Sequence, residues 1–345
     1  MSRAGKAEAC RMNERMHMGD AGGRGAKRPE ALGVIPTAWA PLACALLIAA
    51  GLSGCVAEAS APGQPDLVWG RPGLSAGRLM KPRAIACDAQ DQLYLVDMTG
   101  RIQVFDADGR YLRGWRTPES ENGKPTGLAF DRHGNLMVAD THYFRILFYT
   151  PQGQLLESQT IGGKYGFAPG EFTLVTDCAQ DSQGNYYVAE YGEYDRIQKF
   201  SAERKFLFQW GGHGSERGQF ARPQDLALDE QDQLWVADAC NHRIQVFDAT
   251  GGEAKLRAVW GEQGTEPGQL RYPYDLALDG PYVYVAEFGN HRVQKFTRDG
   301  RFVAAWGVQG RQPGELFQPW ALVVDSQRRI HILDTYNHRV QRIRL

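Results

Sequence analysis

The stretch LWVADACNHRIQVF, residues 234–247, decides the fold. It reads as an apolar strand that ends in an acid, Asp238, followed by a short turn and a second strand that Arg243 opens. Apolar, β-branched and aromatic residues on both sides of a short polar turn are typical of paired strands. Residues 234–247 therefore predict two neighbouring strands of one antiparallel sheet.

The same pattern recurs along the chain in five further copies. Apolar runs with the same acid and the same arginine begin at Leu93, Leu136, Tyr186, Val283 and Ile330. The six acids follow one another at intervals of 43 to 50 residues: Asp97, Asp140, Glu190, Asp238, Glu287 and Asp334. A repeat of this period is the sequence signature of a propeller or a solenoid.

Each copy carries a further strand on either side of this pair. The upstream strand opens with a proline in five copies and with Val175 in the third, and the downstream strand ends in Trp-Gly at Trp210, Trp260 and Trp306. Four short strands per unit make one propeller blade. The chain is therefore predicted to be all-β.

The ring is predicted to close through the N-terminal end of the repeat region. The spacing that follows Trp260, with glycines and then Leu270, also follows Trp69, yet no earlier strands of a blade precede Trp69. The sixth copy lacks an outer strand of its own before Leu345. Leu67-Val68-Trp69 is therefore predicted to be the outer strand of the sixth blade, which removes an open sheet edge.

Blades four to six carry the turn Asn-His-Arg, at Asn241-His242-Arg243, Asn290-His291-Arg292 and Asn337-His338-Arg339. With these turns, residues 66–345 resemble the NHL-repeat family. The resemblance implies a six-bladed β-propeller with four-stranded blades. It implies little about function, because such rings host many tasks.

The first 54 residues differ from the rest of the chain. Arginine and lysine are scattered through residues 1–30, no charged residue lies between Ala31 and Ala57, and the apolar core ends in Leu52-Ser53-Gly54-Cys55. A basic flank before a short apolar core is the layout of a secretory signal. The tetrad resembles a bacterial lipobox, which implies acylation of Cys55.

Residues 1–54 are thus predicted to be a signal segment, and residues 55–65 the lipidated cysteine and a linker. An uncleaved membrane anchor is the alternative, since 27 uncharged residues are long enough to span a bilayer. Both interpretations place the propeller outside the cytoplasm, in a bacterial cell envelope. Val56 after the cysteine favours the outer membrane.

Charge and cysteine content exclude two classes of function. From residue 55 onward the chain has 32 basic and 36 acidic residues, whereas a nucleic-acid-binding protein normally carries a basic excess. After the predicted cleavage, Cys87, Cys178 and Cys240 are the cysteines other than Cys55, and they allow at most one disulfide. The sequence leaves their pairing open but excludes a disulfide-rich scaffold.

The repeated acids and arginines are interpreted as structural. Every blade carries one of each, flanking the same turn, and a catalytic site needs asymmetry that such a repeat lacks. Carboxylate and guanidinium suit a bidentate brace. His242, His291 and His338 occupy equivalent turns well away from the axis, so they are interpreted as turn residues and not as a zinc site.

The first strands of the blades differ from one another in sequence. The position after the blade-opening residue holds a different side chain in almost every blade: Arg83, Thr126, Thr176, Gln224, Tyr274 and Trp320. The next position is acidic in blades three to five, at Asp177, Asp225 and Asp275. These residues are predicted to line the axial channel, as a pocket with a positive, aromatic side and a negative side.

An enzyme is the competing hypothesis. Peptidyl-hydroxyglycine amidating lyases share this architecture, and in that family zinc-binding histidines occupy the slot that here runs from Arg83 to Trp320 without a histidine. A lactonase-like axial calcium would have Asp177, Asp225 and Asp275 as its candidate ligands, on one side of the axis only. No metal site and no cofactor are predicted, and the catalytic residues of such an enzyme stay unknown.

The sequence therefore predicts a monomeric, lipid-anchored propeller that acts as a binding or scaffold module. Its partner is expected to be a protein or a small polar ligand, and not a nucleic acid. The alternative is a metal-dependent propeller enzyme with an axial site.

Overall fold

The computed structural model of the protein describes residues 63–345. In this range six four-stranded antiparallel sheets follow one another along the chain. The predicted six-bladed, all-β propeller is confirmed. The predicted signal segment and Cys55 lie outside the described residues.

Blades one to three are each built from four consecutive strands. Blade one comprises Pro82–Cys87, Leu93–Asp97, Arg101–Phe105 and Tyr111–Arg116. Blade two comprises Gly127–Phe130, Leu136–Asp140, Arg145–Tyr149 and Ile161–Gly162. Blade three comprises Leu174–Gln180, Tyr186–Tyr191, Arg196–Phe200 and Phe206–Gly211.

Blades four to six continue the pattern. Blade four comprises Pro223–Leu228, Gln233–Asp238, Arg243–Asp248 and Lys255–Trp260. Blade five comprises Pro273–Asp279, Tyr282–Glu287, Arg292–Thr297 and Phe302–Trp306. Blade six comprises Leu322–Val324, Ile330–Asp334, Arg339–Ile343 and, as its outer strand, Leu67–Trp69.

Burial differs between the inner and the outer strands. Every residue of Leu93–Asp97 is buried, whereas Phe206–Gly211 alternates between partly buried and exposed residues. The inner strands are covered on both faces by the neighbouring blades, while an outer strand has one face in water. The hydrophobic core is consequently divided into clusters between successive blades, such as the one that joins Val96 to Leu136.

The ring closes as the sequence predicts. Leu67–Trp69 runs antiparallel to Arg339–Ile343, with Trp69 opposite Val340. The ring of Trp69 lies 4.7 Å from that of Phe105 in blade one. The closing strand therefore completes blade six and also packs against blade one.

The acid and arginine of each blade pair as predicted, although one arginine nitrogen and not two bonds to the acid. The pairs Asp97–Arg101, Asp140–Arg145, Glu190–Arg196, Asp238–Arg243, Glu287–Arg292 and Asp334–Arg339 have N–O distances between 2.5 and 2.9 Å. The arginine does more than pair with the acid. Arg243 also donates to the carbonyl oxygens of Ser215, Glu216 and Gln219, all at 2.8 Å. The brace thus fixes the loop that enters the blade.

The turn histidines connect successive blades. Nδ1 of His242, His291 and His338 accepts a backbone N–H of the next blade, at 3.0, 2.9 and 3.0 Å. The donors are Tyr272, Gln318 and Lys81, which all have a left-handed backbone. A nitrogen that accepts must be unprotonated, and burial lowers the pKa of His291 and His338. These contacts agree with the structural interpretation of the histidines.

Two further observations concern the thiols and the membrane. Cys87 and Cys178 are free thiols, and burial raises the pKa of Cys87 to about 12, so that thiol is unreactive. Across residues 63–345 the structure has no helix that is long and apolar enough to cross a membrane.

Candidate functional site

The residues predicted to line the axis lie at irregularities of the sheets. The pairing of the first and second strands shifts register around Arg83, Thr176, Gln224 and Tyr274. A β-bulge leaves its extra residue out of the ladder and redirects its side chain. Four of the six variable positions are therefore released from the sheet at the end of the propeller where the first strands begin.

Three of the predicted residues come together there. The guanidinium carbon of Arg83 lies 5.1 Å from the centroid of the Trp320 ring, and the Tyr274 ring meets the same tryptophan edge-on at 5.1 Å. Phe288 stacks on Tyr274 at 4.5 Å. We call the cluster of Arg83, Arg222, Tyr274, Phe288 and Trp320 the axial mouth.

Sequence reasoning missed Arg222, the second cation of the axial mouth. Its guanidinium lies 4.7 Å from the Tyr191 ring and 5.2 Å from the Tyr274 ring, and its Nε donates to Gln224 at 2.8 Å. A signal was available, because the residue before the blade-opening proline is basic in three blades, at Lys81, Lys124 and Arg222.

The charge around Arg83 is positive. Burial lowers the pKa of Arg83, and the charge of Arg222 lowers it further. The side chains that raise this pKa are tyrosines, among them Tyr191 and Tyr336. The pKa of Lys124 is lowered by burial and by the charge of Arg83. Within residues 63–345 the guanidinium of Arg83 makes neither a hydrogen bond nor an ion pair. A partly buried cation in such surroundings favours an anion from outside the ring.

Thr126 and Thr176 have a structural task instead. The hydroxyl of Thr126 donates to the carbonyl oxygen of Thr176 in the next blade at 3.1 Å, and that of Thr176 donates to Pro223 at 2.6 Å. Both side chains therefore tie one blade to the next.

The three predicted aspartates also link blades. Asp177, Asp225 and Asp275 accept the backbone N–H of Leu226, Leu276 and Leu322, each in the following blade, at 3.1, 2.9 and 3.2 Å. Burial raises the pKa of all three carboxyls, that of Asp225 to about 6, and the charge of Asp225 raises the other two further. The negative side predicted from the sequence thus consists of three buried carboxyls whose charged form is disfavoured by burial.

The cavity between the two sides is small. Asp177, Asp225, Asp275, Tyr274 and Trp320 are among its lining residues, and it has room for about one water molecule. An organic ligand does not fit inside the channel at this level. Its anionic group would have to bind at the axial mouth, next to Arg83.

The site does not suit the zinc that an amidating-lyase resemblance implies. The slot for the histidines holds Arg83, two threonines that tie blades, Gln224 and two aromatic rings, and none of these is a zinc ligand. Within residues 63–345 no group of three or more His, Cys, Asp or Glu side chains is placed to hold a metal ion. No catalytic step through a metal follows from this geometry.

Comparison with known proteins agrees with the fold. The family model described as NHL repeat matches residues 220–247 and 318–343. Peptidyl-glycine alpha-amidating monooxygenase B of Xenopus laevis is 37% identical over 139 residues, which are 37% of this chain and 16% of that protein. NHL repeat-containing protein 3 of Mus musculus is 28% identical over 183 residues, 49% of this chain and 52% of that protein.

These matches span about half the length of the relatives or less. Among solved structures, virginiamycin B lyase from Staphylococcus aureus superposes with a TM-score of 0.54 at 12% sequence identity, covering 76% of this chain and 94% of the other. At such an identity the likeness concerns the fold alone.

Proposed function

Because the chain is a six-bladed propeller of the NHL-repeat family, a fold that serves many tasks, its function depends on its own site, and we propose a binding function for the axial mouth. The protein is an exported binding module that captures the carboxylate of a small organic ligand. It holds that carboxylate at Arg83, and the aromatic rings contact the apolar part of the ligand.

This proposal rests on one observation, the environment of the Arg83 guanidinium. It is partly buried against the Trp320 ring, and within the described part of the chain no carboxylate or carbonyl oxygen pairs with it. Keeping a charge away from water without a partner costs free energy, whereas the buried Arg196 donates to Glu190 and to the carbonyl oxygens of Phe167 and Glu171. A ligand carboxylate can accept two parallel N–H bonds from a guanidinium.

The surroundings narrow the class of ligand. Arg222 adds a second positive charge, and Tyr274 and Trp320, which are 3% and 4% exposed, lie next to it with only the edges of their rings at the surface. Because the channel below has room for about one water molecule, the ligand lies across the axial mouth and not along the axis. An aromatic or aliphatic carboxylate fits this arrangement better than a neutral compound.

Binding of benzoate tests the proposal. We expect the protein to bind benzoate, and the double variant Arg83→Ala with Trp320→Ala to bind it at least about tenfold more weakly, since a hydrogen bond to a charged group is worth about 1.5–3 kcal/mol. Calorimetric titration measures the affinity. Arg217→Ala, an exposed arginine in the loop before blade four, is the control.

Two results would contradict a carboxylate site. One is an unchanged affinity of the double variant whose thermal unfolding matches that of the parent. The other is equal binding of benzyl alcohol, which has the same ring without the charge. Arg83→Lys distinguishes charge from geometry, because lysine keeps the charge and loses the planar pair of donors.

The cellular location of the protein is part of the proposal. The Leu52-Ser53-Gly54-Cys55 tetrad supports acylation of Cys55 and attachment to a bacterial envelope membrane, with the outer membrane favoured. We expect Cys55→Ser to leave an unacylated precursor, because the thioether requires the thiolate. Detergent phase partitioning and the size of the mature protein measure this. A variant that partitions and is processed like the parent would disprove the lipobox.

A second candidate function follows from the similarity to an amidating enzyme over 139 residues. In this version the axial mouth would hold the carboxylate of a peptidyl-hydroxyglycine, and the chain would cleave it. The residues at the axial mouth do not fit the zinc that the amidating-lyase family implies, so the binding function is preferred. Turnover of a peptidyl-hydroxyglycine by the purified protein, abolished in Arg83→Ala, would reverse this preference.

A further inference from the structure

A second cavity lies on the face of the propeller opposite to the axial mouth. It has a volume of about 300 Å3 and lies between blades four and five, near the turns that follow their first strands. We call it the lateral cavity; Asp229, Glu230, Gln233, Trp235, Val246 and Arg298 line it. Its volume is within the range of small-molecule sites.

The lateral cavity exists because two facing side chains are short. At the fourth position of the third strand, Lys199 and Lys295 in blades three and five reach carbonyl oxygens of the next blade, those of Ala249 and Leu345, at 2.6 and 2.7 Å. Blade one has Val104 at this position, but Arg113, which faces it on the outer strand, donates to the carbonyl oxygen of Pro151 in the next blade at 2.9 Å. In blade four, Val246 faces Ala258, and neither side chain extends that far. The space that a long side chain fills between blades one and two, three and four, and five and six is therefore open here.

Arg298 extends into this space from blade five. Blades one, three and four carry alanine at the equivalent turn position, at Ala107, Ala202 and Ala249. The guanidinium carbon of Arg298 lies 5.4 Å from the Trp235 ring centroid, and its Nε donates to Gly280 at 2.9 Å. A long charged side chain thus replaces a methyl group only where the cavity is open.

One nitrogen of Arg298 has N–H groups that make no hydrogen bond. Nη2 is buried and makes no hydrogen bond within residues 63–345, and it lies 3.5 Å from a carboxylate oxygen of the exposed Glu230. Asp229 already accepts from the backbone of Gln231 and Gln233 and from Nε1 of Trp235. A buried donor that makes no hydrogen bond costs free energy that a ligand acceptor can recover.

The charges around the cavity decide the class of ligand. Two carboxylates, Asp229 and Glu230, and one guanidinium give a net negative surrounding, which disfavours an anion, while Arg298 disfavours a cation. Nη2 of Arg298 can donate, Glu230 can accept, and the amides of Gln231 and Gln233 can do both. Val246 and Ala258 supply an apolar wall.

We propose that the lateral cavity is a binding site for a neutral polyhydroxyl ligand of monosaccharide size. A sugar offers hydroxyl groups that donate and accept, and a ring with an apolar face. The site is independent of the axial mouth, so the protein has two ligand sites on opposite faces.

Glucose, N-acetylglucosamine and myo-inositol are suitable probes, with acetate and methylammonium as charged controls. We expect the full-length protein to bind at least one of the three neutral probes and neither ion at this site, as measured by saturation-transfer NMR. Arg298→Ala should weaken that binding about tenfold, because it removes the unused donor and restores the alanine of other blades. Arg301→Ala, an exposed arginine of the same turn, should have no effect.

Val246→Phe provides a second variant. Phenylalanine occupies this position in blade two as Phe148, and it should fill the cavity and exclude the probe. The proposal is overturned if no neutral probe binds at a concentration of about 10 mM, at which a site with a Kd of about 1 mM would be mostly occupied. It is also overturned if Arg298→Ala binds the probe as the parent does, or if acetate binds and Arg298→Ala abolishes that binding.

Discussion

Removal of residues 63–70 is expected to destabilise the propeller more than any single substitution. The deletion takes away the outer strand of blade six, including Trp69, which is 9% exposed. Loss of a buried tryptophan, of the strand's hydrogen bonds to Arg339–Ile343 and of the contact with Phe105 should cost on the order of 5 kcal/mol or more. The third strand of blade six then becomes an open edge that can pair with other chains.

Thermal unfolding and light scattering measure this effect. We expect a much lower unfolding temperature and concentration-dependent association. A synthetic peptide of residues 63–72, added in trans, should restore part of the stability, whereas the same peptide with Trp69→Ala should not. Unfolding that is unchanged by the deletion would rule out closure through Leu67–Trp69.

Arg196→Ala is expected to have the second largest effect. Arg196 is 2% exposed, and it donates to Glu190, to the carbonyl oxygens of Phe167 and Glu171, and to Gln209. Its removal leaves a carboxylate that is fully buried and has lost its counter-ion, which should cost about 4 kcal/mol. Denaturant unfolding measures the difference.

Arg243→Ala is the matched comparison, because the same brace in blade four is closer to water. The side chain of Arg243 is 11% exposed against 2% for Arg196, so water can replace part of the lost interactions. We expect a loss of about 2 kcal/mol and unchanged benzoate binding in the folded protein. Equal losses in the two variants would show that burial does not determine the strength of a brace. Loss of benzoate binding without loss of stability in Arg243→Ala would contradict the structural interpretation of the acids and arginines.

The repeats explain why the fold was predictable. Each blade repeats one strand pattern, so the acid, the arginine and the turn between them could be compared across copies, and all six braces form. Closure was predictable because the Trp69 segment has the spacing of an outer strand without the rest of a blade. A pattern that is repeated six times reveals the parts of a structure that are the same in every copy.

The axial site could be predicted only in part, because it depends on the differences between blades. Arg83, Tyr274 and Trp320 do meet, as their shared position suggested. Thr126 and Thr176 share that position and yet tie blades together, since a short hydroxyl reaches a neighbouring carbonyl. Arg222 was missed because it lies one residue before the blade-opening proline, outside the positions that were compared between blades.

The closing strand also determines the order in which the protein can fold. Trp69 pairs with Val340, a partner 271 positions further along the chain, so the first of the strands in residues 63–345 to be synthesised is the last to be paired. Contacts between residues so distant in sequence form slowly, because the loop entropy must be overcome first. Until then the nascent molecule is an open arc with unpaired strands at both ends, a state prone to aggregation. A chain that folds after export would therefore need a chaperone for this interval more than a chain made of local hairpins would.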